Sequence, residues 1–428
     1  ILNFKKKLFL FSCYRGQFTQ DIVLSIILAK RGYKVIFAYL PKLRSPIKKP
    51  LTDSKGVTFY VDYFMKLLER NSKGFIECIN MLDYFEDVEI NEKSFHDQAY
   101  ADTVMMLQRE NISLQNKKDL DAYQFCVNRL KIIDISVNNY FKKNRKSIDL
   151  CLIANGASFE NSQILENCHR HKIQFNSYEK FAFKNARIIS HQGPFHEFAD
   201  LDFLKSLYLR KNYKRFFKNK IENRSLDLMF QRKTSNNKFW GWQYQKEKNI
   251  NYIDYGNFKN KKFILICPNV PFDAGFKTIN TNFPSMKDWL IETVKFLLTN
   301  SNHQIVVRAH PAEQRETFGN EKTDLIISNA GISNERLIVI SSDSNINTYD
   351  LMKNCEFGIV YSSSTGVEIS MHNKFVITAA NCYHGRLGVT KMFKERKQYF
   401  SFLKKFITKA KFELDYKENA CLIYYLLH

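Results

Sequence analysis

The sequence predicts an α/β protein of two Rossmann-like domains, with parallel sheets facing a cleft. Three observations lead there. Apolar, β-branched runs alternate with segments of helical period at both ends of the chain. A length of 428 residues exceeds one ordinary core. Hydrophobic residues make up 44% and aromatic residues 14%, enough to fill two cores rather than leave a disordered chain.

The elements follow in order. Residues 8–14 form a first strand. The run follows Lys5, Lys6 and Lys7 but is short and lacks a small-residue cleavage site, so it reads as a strand rather than a leader. Residues 18–31 place Ile22, Val23, Ile26, Ile27 and Ala29 at helical spacing, and Gly32 stops that helix. Residues 34–40 are the next buried strand. Without a GxGxxG the opening does not indicate a dinucleotide. Residues 57–150 are mostly helical, with short strands at 57–61 and 75–80 and a long amphipathic helix at 119–142. A strand at 148–154 turns at Asn155-Gly156, a helix covers 157–170, and a strand runs from 173 to Glu179.

Residues 195–258 are basic, polar and aromatic, without a strand pattern, and read as helices and loops bridging two domains. Strands then fall at 262–267, 303–308, 336–340, 357–361 and 375–378, and helices at 285–299, 349–354 and 367–372. Strand–helix alternation implies parallel sheets with right-handed crossovers. The expected organisation is an amino-terminal domain over 1–190, a bridging segment over 191–260, a second domain over 261–390 and terminal helices over 391–428. Two such domains around a cleft form the GT-B architecture.

Nine cysteines are scattered singly, with no CxxC pair or Cys/His cluster, which indicates neither zinc nor a disulfide framework. Buried free thiols fit a reducing, cytoplasmic setting. No run approaches a membrane span. The net charge of +22 is spread along the chain with no nucleic-acid-binding motif, so no nucleic-acid partner is expected. The cluster Lys211, Lys214, Arg215, Lys218 and Lys220 is a candidate contact for an anionic membrane surface, which would make the protein peripheral to it.

Two stretches carry the chemistry. Ser362-Ser363-Ser364-Thr365-Gly366 follows a buried strand and opens a helix. Hydroxyls and helix N–H groups there suit a phosphate, and Gly366 lets it approach. One cap needs one hydroxyl; four in a row exceed that need. Glu368, in the first helical turn, suits the ribose hydroxyls. At the tip of an earlier strand stand Arg308, able to fork two phosphate oxygens, then His310 and Pro311. Asn269 and Asp273 leave the first strand of the second domain, and Tyr383 and Gly385 follow the last. In the first domain Asn155, Gly156 and Glu179 lie at strand ends. Glu179, Asp273 and Asp21 are the candidate catalytic bases, and residue chemistry does not choose among them. Neither a metal nor a cofactor is expected, since neither of the two stretches carries a DxD motif.

The pieces "CPNVPFDA", "RAHPAE", "YSSSTGVE" and "CYHGRLGVT", with Asn155-Gly156, Tyr178-Glu179, Asp288-Trp289 and residues 347–352, resemble the bacterial capsule polysaccharide biosynthesis protein family, which includes Kdo transferases. The likeness spans about 150–390, more weakly 1–40. It implies a GT-B glycosyltransferase using a nucleotide-sugar donor, CMP-Kdo being favoured, and a capsular glycan or lipid-linked glycan acceptor. His310-Pro311 and Ser362 to Thr365 would hold the nucleotide phosphate, and the amino-terminal domain would present the acceptor. The middle region is poorly matched and no base carries over. "RAHP" with "YSSS" also resembles the CDP-polyol phosphotransferases of teichoic acid synthesis, and non-hydrolysing sugar-nucleotide epimerases share the architecture. A non-catalytic basic binding module is the remaining alternative.

Overall fold

A computed structural model describes residues 5–12, 15–41, 61–88, 92–180, 187–198, 200–210, 213–233, 262–270, 272, 282–314, 321–408 and 416–428. The chain divides into two compact units, Ile1–Glu179 with Ile188–Ala199, and Lys180–Arg187 with Asp200–His428.

The amino-terminal unit runs β1 (Lys7–Ser12), α1 (Arg15–Lys30), β2 (Lys34–Tyr39), α2 (Val61–Asn71), β3 (Ile76–Asn80), α3 (His96–Leu107), α4 (Lys117–Asn144), β4 (Leu150–Ala154), α5 (Phe159–His171), β5 (Phe175–Lys180) and β6 (Arg187–His191). Its sheet order is β3-β2-β1-β4-β5-β6, and β1 lies parallel to both β2 and β4. Continuous apolar strands are needed because helices cover both faces. Phe9 and Phe11 pack into one core with Ile36, Ile153 and Phe175, while Leu10 packs into the opposite one with Val35 and Phe37. Gly32, at φ +89°, closes α1: its N–H bonds the Ala29 carbonyl and that of Tyr33 bonds Leu28.

The carboxyl-terminal unit runs α6 (Asp200–Leu209), α7 (Tyr213–Lys233), β7 (Phe263–Cys267), α8 (Met286–Asn300), β8 (Gln304–Arg308), α9 (Thr323–Asn329), β9 (Leu337–Ile340), α10 (Thr348–Asn354), β10 (Phe357–Val360), α11 (Thr365–Met371), β11 (Phe375–Thr378), α12 (Tyr383–Arg386), β12 (Lys391–Met392), α13 (Arg396–Thr408) and α14 (Tyr416–Leu427). The order β12-β11-β10-β7-β8-β9 repeats the 3-2-1-4-5-6 plan of the first sheet. The chain steps outward through β8 and β9, then returns to the other side of β7 with β10. That reversal between β7 and β10 is a topological switch point, where strand ends splay loops apart and leave room for a ligand.

Both sheets match the expected class, and most element bounds agree within a few residues. The segment read as a bridge differs: α6 and α7 belong to the carboxyl-terminal unit. Buried Ile221 packs against Leu422 of α14, and the buried Ser225 hydroxyl donates to the Cys421 carbonyl at 2.7 Å. Within the basic cluster, Lys214 and Lys218 both grip Glu418, at 2.8 and 3.1 Å, so these cations serve α14 rather than a free basic surface. Of the strand expected over 57–61, residues 57–60 lie outside the described residues and Val61 opens α2; residues 234–261 also lie outside them. Among the described residues eight cysteines are free thiols. Among the described residues no helix is long and apolar enough to cross a membrane.

Candidate functional site

Parallel pairing brings the carboxyl ends of β8, β7 and β10 to one edge of the second sheet. With strands spaced about 4.8 Å apart, the tips of β8 and β10 stand roughly 10 Å apart across β7. The two loops singled out by the sequence therefore share that edge.

Asn269, leaving β7, fixes the loop after β10. Its amide oxygen accepts from the Ser362 N–H and its amide nitrogen donates to the Ser362 hydroxyl, both at 3.1 Å. From below, the Ser362 carbonyl accepts from His384 Nε2 at 3.2 Å. His384 is fully buried, and burial pushes its imidazole down to about 4, so it is neutral. With the proton on Nε2, Nδ1 accepts from Thr390 at 2.8 Å, and Thr390 in turn accepts from Thr378 at 2.8 Å. This relay from β11 orients the Ser362 backbone. The sequence marks Tyr383 and Gly385 here and carries no local signal that singles out His384 between them.

The rest of the hydroxyl loop departs from expectation. Helix α11 has seven residues, and its first N–H groups are already used: Thr365 on the Ser363 hydroxyl, Gly366 on the Ser363 carbonyl, Val367 on the Ser364 carbonyl. The helix end therefore does not offer a set of open N–H donors. Ser363 and Thr365 also bond each other at 3.0 Å, while Ser364 is exposed. Gly366 makes room for the protein and not for a ligand, since a Cβ there would lie 3.2 Å from His384 Cε1 and from Val360. Gly385 is likewise closed off by Met392, at 2.9 Å from its would-be Cβ. Tyr383 is half-buried with its ring 5.2 Å from that of His384.

Arg308 is almost wholly buried. Its Nε donates to Thr348 at 3.2 Å and Nη1 to the Ser341 carbonyl, so two of its three nitrogens are already engaged within the unit. Nη2 is buried without a hydrogen-bond partner among the described residues. An orphaned buried guanidinium N–H is costly and suits an incoming anion. His310 is half-buried beside it; burial and Arg308 push its imidazole down to about 4. Nδ1 accepts from the Ala312 N–H at 3.1 Å, which leaves the proton on Nε2 as a donor. Pro311 opens a short 3₁₀ turn, yet the turn is held mainly by buried Glu313. That carboxylate accepts from the Thr323 N–H and hydroxyl at 2.8 and 2.7 Å and from the His310 N–H at 3.3 Å. The "RAHPAE" motif contained this residue without revealing its partner in α9.

Glu368 corrects a further expectation. It is buried, and burial pushes its carboxyl up against the opposing pull of Arg232. Oε1 accepts from Tyr349 at 3.1 Å and pairs with Arg232 of α7 at 3.3 Å. It is the counter-ion of a helix docked on its own unit, not a ribose acceptor. Arg232 also reaches His428 Nε2 at 2.9 Å.

In the amino-terminal unit Asn155 sits at φ +62° with its side chain committed to the turn. Its amide oxygen accepts from the Ala157 N–H at 3.0 Å and its nitrogen donates to Glu179 at 3.2 Å. Gly156 is hemmed in by Leu165 and Pro194, so both residues shape the turn. Asp21 is buried in α1 and accepts from the Tyr178 hydroxyl at 2.7 Å, a structural anchor rather than an accessible base. Asp273 lies outside the described residues. Among the described residues, half-buried Glu179 is the candidate base that remains. Behind the same turn, fully buried Asp102 accepts from the Phe159 N–H and from Gln98, each at 2.9 Å, and its Oδ2 has no hydrogen-bond partner among the described residues. Burial pushes its carboxyl up to about 7. Among the described residues no group of three or more His, Cys, Asp or Glu is placed to hold a metal ion.

No protein-family model matches the sequence, and no curated protein matches it. Solved structures do. The KpsC β-Kdo 2,4 transferase of Thermosulfurimonas dismutans is 15% identical over 65% of this chain and 80% of its own, with a TM-score of 0.41. The UDP-GlcNAc 2-epimerase of Methanocaldococcus jannaschii is 10% identical over 97% of this chain and 98% of its own, with a TM-score of 0.32. A UDP-N-acetylglucosamine 2-epimerase from Listeria monocytogenes is 8% identical over 97% and 90%, with a TM-score of 0.31.

Proposed function

We propose that the protein is a glycosyltransferase that moves a sugar from a nucleotide-sugar donor, CMP-linked as in CMP-Kdo, to a surface polysaccharide or glycolipid. The observation that carries this is the buried Nη2 of Arg308, a cationic donor without a partner among the described residues, beside the Nε2–H of neutral His310. The Asn269–Ser362 clasp at the switch point supports the same reading, because it holds the neighbouring hydroxyl loop at that edge. A phosphate held there would have its departing charge stabilised by fixed donors, the main electrostatic need of the reaction. Glu179 would be the base that activates an acceptor hydroxyl.

A thermal-shift panel of CMP, CDP, UDP and GDP tests the donor, since a ligand that binds only the native state raises the melting temperature. Stabilisation by CMP that vanishes in His310→Ala is expected. Stabilisation equal in wild type and variant would place the nucleotide elsewhere. Transfer of glycerol phosphate from CDP-glycerol would replace sugar transfer by phosphate transfer.

A further inference from the structure

We propose that the outward face of α1, with the start of α2, is a docking surface for an anionic lipid bilayer. A helix packed on a sheet normally turns polar residues to water. Helix α1 does not. Val23 and Ile27 are 50% and 51% exposed and Ile26 is exposed beside them, forming one apolar stripe on the side away from the sheet. Tyr63 and Phe64 on α2 are 60% and 57% exposed, with their rings 5.9 Å apart in edge contact. Between the helices runs a groove of about 400 Å³ whose walls include Ile26, Ala29, Leu68 and Phe75. Exposed aliphatic and aromatic groups on neighbouring helices form a patch of the kind that marks an interaction site.

Charge identifies the occupant. Lys30 and Arg31 close α1, Lys66 and Arg70 lie on the exposed side of α2, and Lys73 follows it; all five are exposed. None of them forms an ion pair with a carboxylate among the described residues. The acids nearby are Glu69 and Asp62, and Asp62 already accepts from the Tyr39 hydroxyl. A second copy of the chain seated face to face would set these cations against their own kind. An anionic bilayer would instead meet them with phosphates, while Val23, Ile26 and Ile27 enter the boundary between headgroups and acyl chains and Tyr63 and Phe64 rest at the interface. The Lys211–Lys220 stretch is a weaker candidate, since Lys214 and Lys218 are held by Glu418. All of these residues belong to the amino-terminal unit, so vesicle binding can be scored without reference to nucleotide binding.

The test is co-sedimentation of the full chain with phosphatidylcholine vesicles that contain or lack phosphatidylglycerol. Binding only to the anionic vesicles is expected, weakening as salt rises. The exposed double variant V23S/I27S should lower the partition about tenfold with an unchanged thermal melt, and K30E/R70E should do so by about the same factor. Binding that persists undiminished in V23S/I27S would overturn the placement. So would a failure to bind anionic vesicles, including the case of a dimer in solution that V23S/I27S dissociates.

Discussion

Asn269 holds Ser362 at two points, accepting from its N–H and donating to its hydroxyl at 3.1 Å each, and so joins the loops on either side of the switch point. Asn269→Ala removes both bonds, each worth about 1 kcal/mol. We expect a lower melting temperature and nucleotide affinity reduced about tenfold, read by thermal shift and calorimetry. Asn269→Asp can keep both contacts, with the Ser362 hydroxyl now the donor, but it sets a negative charge beside a bound phosphate, so its affinity should fall as well. Unchanged affinity in both variants would detach this clasp from the site.

His310 should act as a neutral donor. His310→Gln, whose amide can donate from nearly the same place, should retain more nucleotide binding than His310→Ala. The expected gap is about 1 kcal/mol, roughly fivefold in affinity. Equal losses in the two variants would argue against a donated proton.

Gly366→Ala should destabilise the carboxyl-terminal unit, because the new methyl would sit 3.2 Å from His384 Cε1 and 3.3 Å from Thr390. An overpacked core position costs about 1–3 kcal/mol. The double variant Gly366→Ala with His384→Ala should recover part of the packing loss while losing the support of Ser362. A denaturant midpoint for each single and the double variant measures the coupling.

Arg232 and Glu368 form a buried pair between α7 and α11. Arg232→Met alone should cost about 3–5 kcal/mol, because Glu368 is left buried and charged. Adding Glu368→Gln should return much of that loss. If Arg232→Met melts like the parent protein, the ion pair with Glu368 does not stabilise the docking of α7.

Asp102 gives a pH signature. Its folded value, raised to about 7, lies above that of the unfolded chain, so between roughly pH 4 and 7 the native state holds a proton the unfolded state has lost. Its contribution is fully present at low pH and is lost as pH rises through 7. Asp102→Asn should therefore match the parent near pH 4, gain on it steadily across that window, and lead at pH 7.5 by an amount on the order of 4 kcal/mol. The difference in denaturant midpoints at the two pH values reports it. The buried histidines act the other way: His384, lowered to about 4, supplies stability above 6.5 that is lost as pH falls toward 4.

The strands were legible because helices on both faces force them into unbroken apolar runs, as in residues 8–11 and 263–267. The shared edge of the 308–310 and 362–368 loops was legible for the same reason, since parallel strands deliver their ends to one side. The roles of individual side chains were not. Arg308 is tied to Thr348 and Ser341, Glu368 to Arg232, and Asp21 to Tyr178, each partner supplied by another element of its unit. Nothing local in sequence distinguishes a charged group awaiting a ligand from one neutralised at a distance. Gly366 misled in a similar way, because the group that required its small size, His384, arrives from a later strand–helix turn.

The docking of α7 on α14, fastened by Ser225 and Arg232, limits how the molecule can be dissected. A fragment begun at β7, the natural cut if the second sheet were self-sufficient, would strip the cover from Leu422 and leave Glu368 without its cation. Such a piece should be poorly soluble, whereas one starting ahead of α6 keeps the cover in place.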